Sequence, residues 1–157
     1  MNTRELMIVA LALHTVGFVG WIGGLSFAYV DMVFSARTLR TYAWLSIWRR
    51  TFARFLGWSW VGITVVIVTG LVMASVVSGG SGELPAYIRA MMVSGMGAMA
   101  AFAYLYFMPW RLLNKAIWKS DLAAVEKRLR QIRLLVVMTM FLGLVTAMVG
   151  ASGPYLQ

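Results

Sequence analysis

The stretch from Leu6 to Phe34, LMIVALALHTVGFVGWIGGLSFAYVDMVF, decides the fold. It contains one acid, Asp31, and neither Lys nor Arg. About 20 helical residues cross a hydrocarbon core of about 30 Å, so this stretch spans with residues to spare. Three more apolar stretches follow, from about Phe55 to Val77, Tyr87 to Leu113 and Leu134 to Ala151. Lipid offers the backbone no hydrogen-bond partners, so only helices or closed barrels span it. The strict alternation of barrel strands is absent. The expected fold is all-α, an integral membrane four-helix bundle forming one membrane domain over residues 1–157. The first stretch is too long for the apolar region of a cleavable signal peptide, and no small-x-small cleavage site follows it.

Composition agrees. Of 157 residues 61% are hydrophobic and 12% charged, against roughly 45–50% and about 25% in soluble domains. A soluble domain of this length buries only about 70% of its unfolded surface, too little to hide so many apolar side chains. There is no cysteine, which excludes disulfides, thiolate metal sites, iron–sulfur clusters and cysteine nucleophiles. The single histidine excludes a multi-histidine metal site within one chain.

The net charge of +9 is distributed unevenly. Arg37, Arg40, Arg49, Arg50 and Arg54 lie between the first two stretches. Arg111, Lys115, Lys119, Lys127, Arg128, Arg130 and Arg133 lie around the link between the last two. Twelve of 14 basic residues thus fall in two loops on one side, leaving Arg4 and Arg89 on the other. Short loops rich in Lys and Arg stay in the cytoplasm. Both termini are therefore expected to face outward, into the periplasm in a Gram-negative cell. The positive charge reads as a topology signal and a contact for lipid headgroups, with no nucleic-acid partner expected.

The two basic loops carry helical patterns of their own. Trp44, Trp48, Phe52 and Phe55 follow one face, predicting an interfacial turn or two that leads into the second span. Leu122, Val125, Leu129 and Ile132 share another face, with Ser120 as an N-cap and Asp121 as a first-turn acid. Short amphipathic helices are therefore expected in both cytoplasmic loops. The outer loop, from Ser78 to Pro85, is rich in Gly and Ser and reads as a flexible link.

His14 is the first residue that could carry chemistry. An ionisable side chain inside a membrane span is a functional candidate by default. It lies about 12 Å into its helix, in the outer half of the membrane. His14, Gly17, Trp21 and Gly24 recur at i, i+3, i+7 and i+10 and share one face. Small residues permit close helix packing, and they also leave a slot in which a flat macrocycle could lie. Met92, Met96 and Met99 share a face of the third span. Thioethers are soft ligands that select Cu(I), and imidazole can complete such a site; methionine is equally an apolar filler. A methionine can also be an axial haem ligand beside a histidine. Arg89 is placed to anchor the third span or to meet a haem propionate. Asp31 is expected to pair with Arg37, Arg50 or Arg54. Thr64, Thr69, Ser94, Tyr104 and Tyr106 are candidate hydrogen-bond partners, and Thr139, Gly143, Thr146 and Gly150 read as a packing stripe. No hydrolytic constellation is present, because no acid lies where it would orient His14. The sequence points away from an enzyme and assigns no catalytic residue.

The run His14-x6-Trp21-Ile22-Gly23-Gly24-Leu25 resembles the first-helix signature of the CopD-like (copper resistance protein D) family of bacterial inner-membrane proteins. Arg54-Phe55-x2-Trp58, Pro85-Ala86-Tyr87 and Pro109-Trp110-Arg111 look like its small stand-alone members. The opening is also similar to that of HemJ-type protoporphyrinogen oxidases, in which the first-helix histidine is associated with b-type haem. After Gly24 this chain departs from that group, reading Leu25-Ser26-Phe27-Ala28. The resemblance implies an inner-membrane protein that binds or transports copper, with His14, Met92, Met96 and Met99 as ligands. The alternatives are a haem b redox protein, with His14, Gly17, Trp21, Gly24 and Arg89 around the cofactor, and an accessory subunit of a larger membrane complex. The expected partners are the lipid bilayer and a second copy or a larger complex.

Overall fold

A computed structural model describes residues 2–38, 42–79 and 83–155, with side chains 31–45 and 154 outside the described set. The chain is all-α. Helices α1 (Thr3–Thr38), α2 (Tyr42–Ser78), α3 (Ala86–Phe107), α4 (Pro109–Trp118) and α5 (Leu122–Ser152) precede a short 3-10 turn, Gly153–Tyr155. Four spans, Thr3–Val30, Ser46–Ser78, Ala86–Trp118 and Leu122–Ser152, are long and apolar enough to cross a membrane. Val16, Phe27, Val93, Phe141 and Met148 are each at least 65% exposed. Large apolar side chains displayed so widely suit contact with lipid. The protein is thus a multi-pass membrane protein of the expected all-α, four-span class.

The helices run beyond the apolar stretches. At 1.5 Å per residue the 37-residue α2 is about 55 Å long, well over the hydrocarbon thickness. The aromatic row before the second span belongs to α2 itself. Trp48 and Phe52 stack at 4.8 Å between centroids and are each 2% exposed. Their rings are buried against the protein itself, on helical turns that lead into the second span. Trp44 and the pairing expected of Asp31 lie outside the described side chains.

The third apolar stretch breaks earlier than Leu113. Met108 has φ −109° and ψ −81°, and Pro109 opens α4. The proline has no N–H to donate to the preceding turn, and its ring disfavours helical geometry in the residue before it. Backbone bonds from Met108 N to the Tyr104 carbonyl and from Leu112 N to the Met108 carbonyl, both 3.0 Å, carry the chain through the bend. Pro109, Trp110, Leu113 and Ala116 are buried while Arg111 and Lys115 are exposed, so α4 is a short amphipathic helix.

The α4–α5 turn also differs in detail. Asp121 is itself the N-cap, accepting from Ala124 N at 2.9 Å. Ser120, expected in that role, has φ +53°. Ser120 N donates to the Ile117 carbonyl and Asp121 N to the Ala116 carbonyl, each at 3.1 Å. These two bonds form the Schellman pattern that closes α4.

The chain forms two compact units, 1–89 and 90–157. In the first, α1 packs on α2. Contacts descend along α2 as they ascend α1, from His14 against Gly70, through Gly17 and Trp21 against Gly62, to Gly24 against Phe55. The pair is therefore antiparallel. In the second, α3 packs on α5 through Gly95 against Thr146, Gly97 against Leu142 and Met91 against Gly150. Helix α4 folds back along α5.

Candidate functional site

The face read on α1 is the one that meets α2. Gly17 and Gly62 make the closest approach. A Cβ on Gly17 would lie 3.2 Å from the Gly62 carbonyl oxygen, and a Cβ on Gly62 would lie 3.2 Å from that of Gly17. Two glycines opposed in this way bring the backbones themselves together, the usual service of small residues in lipid. Trp21 is 2% exposed beside this crossing. A side chain at Gly24 would run into the ring of Phe55. Helix α2 closes the expected slot at the Gly24–Phe55 contact, while apolar grooves open beside it: one of about 380 Å³ lined in part by Gly17, Gly20, Trp21 and Trp58, and another lined in part by Gly24 and Phe55. His14 is among the lining residues of neither.

His14 sits one turn beyond the crossing and is half-buried. Its Nδ1 lies 3.0 Å from Thr69 Oγ1. The Thr69 hydroxyl also lies 2.6 Å from the Val65 carbonyl and 3.3 Å from that of Val66. When its one proton goes to its own helix it accepts from the ring, and in that tautomer Nδ1 bears the hydrogen and Nε2 the lone pair. A hydrogen bond that fixes the tautomer and orients the ring is what a ligating histidine requires of its surroundings. Glycine at position 70 makes the arrangement fit, because a Cβ there would lie 3.2 Å from His14 Cε1. His14 therefore faces a neighbouring helix as expected, and Thr69 is the hydroxyl that holds it.

The methionine stripe lies in the second unit. Met92 and Met99 are half-buried and Met96 is 59% exposed. The α3 face that meets α5 passes through Met91, Ser94 and Gly95 instead, with Thr146 Oγ1 donating to Ser94 Oγ at 2.8 Å. The stripe lies to one side of the residues that meet α5, with Met92 and Met99 half-buried. Thr139 and Gly143 are buried, and Thr146 and Gly150 contact α3. Arg89 is exposed in the first turn of α3.

Among the described residues no three His, Cys, Asp or Glu side chains cluster. Any metal held at His14 would draw its other ligands from thioether, hydroxyl or carbonyl groups. A donor set of one imidazole and thioethers suits Cu(I) and does not suit hard divalent cations. Gly62 and Gly70 were missed by sequence reasoning; two glycines eight residues apart in an apolar helix were the available signal. No family model, curated protein or solved structure matches the chain.

Proposed function

We propose that this is a bacterial inner-membrane protein that binds copper as Cu(I) within the bilayer, in the manner of the CopD-like family, and takes part in moving it across the membrane. The observation that carries the proposal is the 3.0 Å contact between His14 Nδ1 and Thr69 Oγ1, which orients the single imidazole of the chain within an apolar helix pair and leaves Nε2 as the candidate donor. Methionine thioethers supply the soft partners, and Met92, Met96 and Met99 offer a further run of them on α3. The orientation proposed has both termini periplasmic and both basic loops cytoplasmic.

The haem b alternative has weaker support. Helix α2 packs closely at Gly17 and Gly24, and the grooves that open beside these glycines are not lined by His14. An accessory role remains the reading to adopt if no cofactor is found.

Metal analysis and an absorption spectrum of the purified protein test the proposal together. Cu(I) bound in wild type and absent from His14→Ala is the expected result. Soret absorbance with no copper would transfer His14 to haem. Reporter fusions at Gln157 and near Lys119 should report opposite sides of the membrane, and cytoplasmic activity at Gln157 would overturn the orientation.

A further inference from the structure

The first unit carries a thioether, Met73, on the face of α2 that meets α1. The α2 face that meets α1 runs Gly62, Val66, Thr69, and continues one turn later to Met73. Met73 is four residues beyond Thr69 and three beyond Gly70, the two residues against which the His14 ring rests. On the helix surface it therefore lies above the gap between them. It is half-buried.

Helix polarity decides where the two side chains lean. Side chains tilt toward the N-terminus of their own helix, and a residue covers the turn preceding its Cα. Since α1 and α2 are antiparallel, this tilt carries His14 toward the turn of Met73 and Met73 back toward the turn of Thr69 and Gly70. Gly70 has no side chain to separate them, and the ring passes Cε1 over it. Nε2 follows Cε1 around the ring, beyond the atom held by Thr69. Met7 lies two turns from His14 on α1, about 10 Å along the axis, and leans the other way.

We infer that Met73 is the thioether partner of His14, so that one imidazole nitrogen and one methionine sulfur from the α1–α2 pair bind Cu(I). Three rotatable bonds let the Met73 sulfur adapt to the ring's position. The inference rests on the copper reading of His14.

The test uses the full-length protein in detergent, loaded anaerobically with Cu(I) alone and titrated with a chromogenic Cu(I) chelator. Copper X-ray absorption on wild type is read in parallel. Both nitrogen and sulfur scatterers are expected. Met73→Leu keeps the volume and should weaken Cu(I) at least about tenfold and remove sulfur scattering. Met7→Leu should change neither. Copper retained by His14→Ala, or no copper in wild type, overturns the copper reading and this inference with it. Copper lost from His14→Ala but held normally by Met73→Leu overturns Met73 alone, as does a wild-type site with no sulfur. Loss of the sulfur signal in a Met92/Met96/Met99 triple Leu variant, with Met73→Leu unaffected, moves the thioether to α3.

Discussion

The two units solve the same packing problem with different polar groups. In the α3–α5 pair, Ser94 donates to the Ala90 carbonyl and accepts from Thr146, which also lies 2.8 Å from the Leu142 carbonyl. One hydroxyl proton joins the two helices and the other returns to its own helix, and the oxygens left are hard donors that do not suit Cu(I). In the α1–α2 pair, Thr69 likewise bonds its own helix, but its partner is an imidazole. An imidazole has two nitrogens, and fixing one leaves a lone pair on the other. The contrast separates a polar contact that only joins helices from one that also prepares a donor.

Disrupting the glycine crossing should have the largest effect. Gly17→Leu places a side chain against the Gly62 carbonyl, where backbone must move. A loss of about 1–3 kcal/mol or more is expected in unfolding from detergent micelles. Gly20→Leu, with nothing within 4 Å of its Cβ, should be near neutral. Equal losses at both positions would remove the special status of the crossing.

Thr69→Val sharpens the comparison at the site. It keeps the shape, removes the acceptor for Nδ1–H and frees the ring to take either tautomer. Cu(I) affinity should fall about 10–100-fold, as when other ligand-orienting groups are removed. Chelator competition measures this. Unchanged affinity would mean that the hydroxyl does not prepare the donor.

Ser120→Gly should stabilise the protein by up to about 1 kcal/mol. The residue has φ +53°, a conformation that glycine adopts without steric cost. A raised thermal midpoint with unaltered copper binding is expected. Ser94→Ala is the smallest change. Interhelical hydrogen bonds in membranes average about 0.6 kcal/mol, so a slight destabilisation with full copper affinity is predicted. Copper loss in Ser94→Ala would erase the distinction between the two units.

The sequence alone determined the four spans, because lipid accepts only long, apolar, internally bonded segments. Pro109, which cannot continue the hydrogen-bond ladder, was the available signal for the bend, but apolar composition carried the third stretch on to Leu113. The sequence identified the α1 face of His14, Gly17, Trp21 and Gly24, because helical period assigns neighbours within one helix. Which helix covers that face is not a periodic property. Gly24 both meets the Phe55 ring and lines an apolar groove beside it. Only the tertiary structure decided this, through the antiparallel register set where Gly17 meets Gly62. The same register brought Thr69 to His14 across 55 residues of sequence. The burial of Trp48 and Phe52 has the same origin. An aromatic row suits a headgroup layer and a protein interior equally well, and burial depends on what packs against it.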